Sequence, residues 1–355
     1  MSKKIFVMLL LILVVLVSFV CGKKLAVLPE LKKPLVMVIQ GNELYILDGV
    51  EVYVYSLQDY RLITKFGKRG EGPSELLPNE EIPLNLRLVN GDIFLNSQTK
   101  MVYYNKEGKM IKEKTLPFLC MQIAPIGEGF AVVKVNLDGG GVLKLDVVLC
   151  DAQLKPIKTL VSLDRNAMSP SGKIVIPTPY IYLHCAGDTL FVTGGNQQDF
   201  QIKVFDKSGN PMPSIQTQYD RVELTGSFKN ELLDWFKTAR FSNMPPEVFQ
   251  RLYFPDYLPA IRELVVTNSG NGIGSSNGNG GRIYVQTYKQ QDNRSEFFVF
   301  DFHGKQLNRV LLPTASSDKI KLNHETMFTF HENSYYYLVD NADKEEWELH
   351  METLN

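Results

Sequence analysis

The sequence has little cysteine and almost no net charge, and each shortage excludes something. Four Cys among 355 residues are too few to frame a fold of this size. No pair of them has the Cys-x-x-Cys spacing of a zinc or redox site. Thirty-eight Lys and Arg against 39 Asp and Glu leave a net charge of −1. That provides no broad positive field for a phosphate backbone, so nucleic acid is not an expected partner. The five His show no metal-ligating spacing either. His324 and His331 lie an odd interval apart, on opposite faces of one strand, and His303 falls in a turn. Apolar residues are not scarce: 44% is the content of a folded body, not of a disordered or collagen-like chain.

One long apolar run stands at the start of the chain. Lys3 and Lys4 precede Ile5 to Val20, interrupted only by Ser18, and Cys21-Gly22-Lys23-Lys24 follows. As a helix the run spans about 24 Å, short of the roughly 30 Å hydrocarbon core. A signal peptide over residues 1–21 fits better than a membrane span. Closed by Cys21, the run resembles a bacterial lipoprotein signal, which implies lipidation of Cys21. Ser18 and Val20 depart from the Leu-like and small residues usual in such signals. The expected location is the bacterial cell envelope, outside the cytoplasm, with a lipid or an uncleaved signal as membrane anchor. Cys120, Cys150 and Cys185 remain. Cys150 and Cys185 sit in apolar, strand-like runs as small hydrophobes, and an oxidising compartment would permit one bridge, such as Cys120 to Cys150.

The body, residues 22–355, repeats a unit: Gly or Asn, a short β-rich strand, a polar gap, a second strand ending in aromatic-Asp/Asn, and a tight turn closed by Gly. Clear copies run from Gly91 to Asn105-Lys-Glu-Gly108, from Gly187 to Asp206-Lys-Ser-Gly209 and from Gly281 to Asp301-Phe-His-Gly304. Weaker ones begin at Gly41, Gly129 and Asn333, and Leu154 replaces the turn Gly in the third unit. The acidic or amide side chain accepts bonds from the backbone ahead of it and Gly tolerates positive φ, so these are hairpin turns between a third and a fourth strand. Six units in the body give about 56 residues each, near the 40–50 of a four-stranded propeller blade. Asp206 to Asp301 covers 95 positions against 46 from Asn105 to Asp151. The excess lies between the fourth and fifth units.

Phe66-Gly-Lys-Arg-Gly-Glu-Gly-Pro-Ser-Glu75, following the first unit, resembles the six-bladed β-propeller proteins related to NHL repeats. The resemblance covers nearly the whole body and implies an all-β ring of six four-stranded blades, with this Gly-rich stretch as a structural crossover between blades one and two. The last unit runs out of chain before its fourth strand. Leu25-Ala-Val-Leu28 is expected to supply it and close the ring.

Within residues 226–262 the period changes. Phe228, Leu232, Leu233, Trp235, Phe236 and Ala239 recur at helical spacing with Ser227 as N-cap, and Pro245 to Phe254 reads as a second short helix. This insertion is expected to cap a face of the disc, with Trp235, Arg240, Tyr253 and Tyr257 as ligand contacts. Lys68, Arg69 and Glu71 are the best charged candidates near a channel opening. Asp48, Asn96, Asn136 and Asn196 follow second strands and either line the channel or serve turns. Gly274-Ser-Ser276-Asn-Gly278 matches the hydrolase elbow but lacks the strand and helix which that chemistry needs. No cofactor is evident. The expected activity is binding of an unknown protein or small molecule, and the alternative is a hydrolase or lyase using a divalent metal in the channel, with catalytic residues unknown.

Overall fold

The computed structural model describes residues 22–77, 84–137, 143–164, 173–177, 180–193, 198–235, 237, 246–267, 281–314 and 327–354. Cys21, Arg240, His324, Asn196 and the elbow-like Gly274–Gly278 segment lie outside the described residues.

Strands account for nearly every regular element. After β1 (Lys23–Leu28), blade 1 comprises β2 (Pro34–Gln40), β3 (Glu43–Asp48), β4 (Glu51–Ser56) and β5 (Leu62–Phe66). A parallel clip, β6 (Lys68–Arg69) on β7 (Glu75–Leu76), crosses to blade 2: β8 (Asn85–Val89), β9 (Asp92–Asn96), β10 (Lys100–Tyr104) and β11 (Met110–Thr115). Blade 3 is β12 (Cys120–Ile126), β13 (Gly129–Leu137), β14 (Leu143–Cys150) and β15 (Pro156–Asp164). The short β16 (Ile174–Val175) precedes blade 4: β17 (Leu183–Ala186), β18 (Thr189–Thr193), β19 (Gln201–Asp206) and β20 (Pro211–Gln216). The insertion holds α1 (Gly226–Trp235), α2 (Pro246–Gln250) and β21 (Leu252–Tyr253). Blade 5 is β22 (Glu263–Thr267), β23 (Arg282–Gln291), β24 (Arg294–Phe300) and β25 (Gln306–Pro313). Blade 6 is β26 (Phe328–His331), β27 (Ser334–Asn341) and β28 (Glu346–Thr353), with β1 as its fourth strand.

The first strands β2, β8, β12, β17, β22 and β26 each pack against the next around a closed ring, so the protein is an all-β, six-bladed propeller. Because a blade is covered on both faces by its neighbours, its middle strands read as continuous apolar runs rather than as an alternation. Val52, Tyr53, Val54 and Tyr55 of β4 are consecutive and all buried. Outer strands face solvent and are polar, as in Met-Ile-Lys-Glu-Lys-Thr of β11, which is almost wholly exposed. The core is divided accordingly. One apolar cluster fills each of the interfaces between blades 1 and 2, 2 and 3, 3 and 4, and 4 and 5, and a larger one joins blades 5, 6 and 1. In the last, Tyr284 of blade 5 stacks on Phe330 of blade 6 with ring centres 3.6 Å apart.

The repeated turns form as the sequence predicts. Asp206 Oδ1 accepts the Ser208 and Asn210 amides at 2.8 Å each, and Asp301 Oδ1 accepts those of His303 and Lys305 at 2.9 and 2.8 Å. The closing Gly has two reasons to be Gly. Gly108 has φ +76, and a Cβ there would lie 2.4 Å from Phe66 on the outer strand of the preceding blade. Each turn is thus also a contact between successive blades.

Closure also follows the expectation. β1 pairs antiparallel with β28, Lys24 opposite His350 and Leu28 opposite Trp347. Glu348 secures it, accepting from Lys24 Nζ at 2.6 Å, Asn341 Nδ2 at 2.9 Å and, on its other oxygen, sharing a 2.9 Å bond with His350 Nε2.

The insertion differs from its prediction in two details. Thr225, not Ser227, caps α1: its hydroxyl accepts the Phe228 amide at 3.4 Å and its carbonyl the Lys229 amide at 2.9 Å. The second helix stops at Gln250, because Leu252 and Tyr253 instead pair in parallel with Ile174 and Val175. Leu224, Leu232, Leu258 and Ile176 form a small core there, with Tyr288 of β23 packed against it.

Candidate functional site

In each blade the turns from first to second and from third to fourth strand lie on one face of the disc, and the crossovers between blades lie on the other. A cavity of about 1460 Å³ runs along the ring axis. Its mouth is on the hairpin face, where Asn42, Asn90, Lys106, Asp301 and Asn333 line it. Its wall takes residues from all six first strands, including Val38, Arg87, Gln122, His184, Glu263 and Thr329.

The deep wall between blades 2, 3 and 4 carries a hydrogen-bonded polar group. Gln122 of β12 is 4% exposed, and its amide is held at both ends: Nε2 donates to the Ile181 carbonyl at 2.8 Å and Oε1 accepts the Leu183 amide at 3.2 Å. Arg87 of β8 donates from Nη2 to the Leu183 carbonyl at 2.7 Å and to Gln122 Oε1 at 3.4 Å. Its Nε is buried with no hydrogen-bond partner. No carboxylate pairs with it among the described residues. Burial lowers the Arg87 pKa, and the groups whose charge bears on it are Cys185 and Tyr180. Burial pushes the Cys185 thiol up to about 12 and the Tyr180 phenol higher than its ordinary value, so both stay neutral. His184 is pushed down to about 3 by burial and then by Arg87, so its ring is neutral as well. Tyr182 donates its hydroxyl to the Arg262 carbonyl, tying blade 4 to the end of the insertion.

The residues singled out in the sequence lie elsewhere. Lys68 pairs with Glu75 across the β6–β7 clip at 2.5 Å, which raises the Lys68 pKa and lowers that of Glu75. Arg69 shares that clip, and the carbonyls of Glu71 and Gly72 accept from Lys100 Nζ at 3.3 and 2.9 Å. The Gly-rich stretch is therefore pinned to blade 2 as a crossover, and none of Lys68, Arg69 and Glu71 lines the cavity. Because the insertion joins a fourth strand to a first, it leaves from the crossover face, opposite the hairpin-face mouth. Tyr253 lies in β21, and Tyr257 is 39% exposed beneath the Arg221 guanidinium; neither lines the cavity. The Trp235 side chain lies outside the described residues.

Of the polar residues after the second strands, Asp48, Asn96 and Asn136 do not line the cavity and bond elsewhere. Asp48 accepts the Lys32 and Lys33 amides, Asn96 donates to the Ser97 carbonyl, and Asn136 donates to Asp146. Arg87, Gln122, Tyr182 and His184 are the channel residues that sequence reasoning missed. The available signal was a polar side chain inside the otherwise apolar first strand of a unit, as in Leu86-Arg87-Leu88. Among the described residues no three His, Cys, Asp or Glu side chains converge to hold a metal ion. Cys120, Cys150 and Cys185 are free thiols. Cys120 and Cys150 lie on β12 and β14 with β13 between them, about 9 Å or more across the sheet, too far for a disulfide.

A family model described as a 6-bladed beta-propeller matches residues 31–160. Among solved structures, the chain is similar to BamB from Moraxella catarrhalis at 8% identity and TM-score 0.37, covering 93% of this chain and 99% of that one. The computationally designed Ika8 protein matches at 11% identity and TM-score 0.40, covering 93% and 99%. A protein of unknown function from Bacteroides caccae matches at 10% identity and TM-score 0.38, covering 76% and 78%. No curated protein matches the chain.

Proposed function

We propose that the protein is an NHL-like β-propeller of the bacterial cell envelope, attached to a membrane through lipid on Cys21 or through an uncleaved N-terminal signal, and that it binds a ligand in its central channel. One observation carries this reading. A cavity of about 1460 Å³ lies on the ring axis, walled by all six first strands, with polar and apolar side chains mixed along its wall. The closed ring holds Arg87, Gln122, His184 and Glu263 on strands rather than on loops, which suits recognition at low ordering cost. We read the activity as binding rather than turnover because Gln122 and Tyr182 spend their side-chain hydrogen bonds on the backbone, Gln122 on Ile181 and Leu183 and Tyr182 on Arg262.

Hydrogen exchange of the full chain against a mixture of polar small molecules tests the reading. Ligands that bind should slow exchange in residues 36–40, 85–89, 263–267 and 328–331. Protection confined to the insertion or to the outer strands would move the site out of the channel.

A further inference from the structure

The channel holds a cation, Arg87, to which no described residue supplies a counter-charge. Arg87 lines the cavity, yet no ion pair reaches its guanidinium among the described residues. Its three nitrogens differ. Nη2 is tied to Leu183 and Gln122, Nε is sealed and unpaired, and Nη1, with no hydrogen bond, is not sealed and so opens on the cavity. The guanidinium plane is fixed, because the Gln122 amide that helps hold it is itself held by Ile181 and Leu183. Burying a charge without a partner is costly, and a preorganised guanidinium suits a planar oxyanion.

Resting on the channel-binding reading above, we propose that the channel binds a small molecule through its carboxylate, which accepts from Arg87 Nη1, the nitrogen that Leu183 and Gln122 leave unused. A carboxylate fits better than a phosphate dianion for a reason of charge. Arg87 is the deep cation, its neighbours Tyr180, His184 and Cys185 are neutral, and Glu263 also faces the cavity and opposes a second negative charge. Tyr180, Tyr182 and His184 line the same wall and give the body of the ligand aromatic side chains to pack against. The carboxylate could belong to a sugar acid or to a peptide-like acid, and the two are separable by experiment.

The full chain is titrated calorimetrically with glucuronate and with N-acetylphenylalanine, each beside its neutral counterpart, methyl glucoside and N-acetylphenylalaninamide, and with inorganic phosphate. We expect one of the acids to bind at least about tenfold more tightly than its neutral counterpart, and Arg87→Met to remove that preference. Glucuronate alone would identify a sugar acid, N-acetylphenylalanine alone a peptide-like one. Should Arg87→Met fail to fold, phenylglyoxal labelling of Arg87 in the wild-type chain, blocked by the acid and not by its neutral counterpart, gives the same information. Equal binding of acid and neutral forms, tighter binding of phosphate, an unaltered Arg87→Met, or binding of neither acid overturns the carboxylate assignment. The channel reading itself falls only when no small molecule protects the first strands from exchange.

Discussion

The Leu154 amide donates to the Asp151 carbonyl oxygen at 3.0 Å, with Leu154 held at φ +65. This is the blade-3 copy of the turn that Gly108, Gly209 and Gly304 close elsewhere, each also bonded three residues back. Asp151 Oδ1 accepts the Gln153 and Lys155 amides at 2.9 and 2.8 Å, so the turn survives without its Gly. The Leu side chain is 1% exposed, in the cluster that joins blades 2 and 3. Burial offsets the left-handed backbone, which costs a non-Gly residue about 1–2 kcal/mol.

That balance predicts an unusual order of variants. Leu154→Ala keeps the strained backbone and loses the packing, and should cost about 2–4 kcal/mol. Leu154→Gly loses the same packing but relieves the backbone, so it should be the milder change by about 1 kcal/mol. Urea denaturation of both variants decides; a Gly variant less stable than the Ala variant would refute the offset.

Removing residues 23–32 should open the ring. Leu28 and Leu31 are 1% and 4% exposed within the cluster joining blades 5, 6 and 1. Their burial alone is worth about 3–6 kcal/mol, and the deletion also exposes the edge of β28. A marked fall in the melting temperature is expected, and an unchanged one would show that β1 does not hold the ring shut.

Acid should loosen the same strand. Hydrogen bonds from Lys24, Asn341 and His350 bring the Glu348 carboxyl down to about 2 from its ordinary 4.5. A carboxylate whose folded pKa is depressed stabilises above its unfolded value, and that contribution fades as pH falls from about 4.5 towards 2. Exchange of the β1 amides should therefore speed up through this window in the wild type. In Glu348→Gln it should be faster at neutral pH and lose most of the pH response; a full response in that variant would place the titration elsewhere.

The three thiols should be inert in the folded chain. Burial pushes Cys120 and Cys185 up to about 12 and Cys150 up to about 11. At pH 8 that leaves about 0.1% thiolate or less. Iodoacetamide should label them slowly until denaturant is added, and reductant should leave the melting temperature unchanged. Rapid labelling of Cys120 or Cys150 in the native protein would contradict their burial, and rapid labelling of Cys185, which lines the cavity, would contradict its raised thiol pKa.

Attachment is tested by Cys21→Ser. If the residue carries lipid, the variant should appear in the soluble fraction of cells where the wild type sediments with membranes. Retention would favour an uncleaved signal as the anchor.

Local signals made the blades legible. The Asp/Asn-x-x-Gly turn, the apolar middle strands and the polar outer strands each depend on neighbours a few residues away, so the blade count, the helical insertion and even the missing fourth strand could be read from the chain. The helical spacing from Phe228 through Leu232 and Leu233 also marked the insertion as a departure from the repeat, although its face of the disc could not be assigned without strand directions. The channel depended on contacts of another kind. Arg87 meets Leu183 across 96 positions and Gln122 meets Ile181 across 59. No periodicity joins such residues, because they become neighbours only where the first strands of successive blades converge on the axis. Blade architecture follows from short-range patterns of burial and turn chemistry. The identity of the groups that face the channel arises only when the ring closes and brings those strands together.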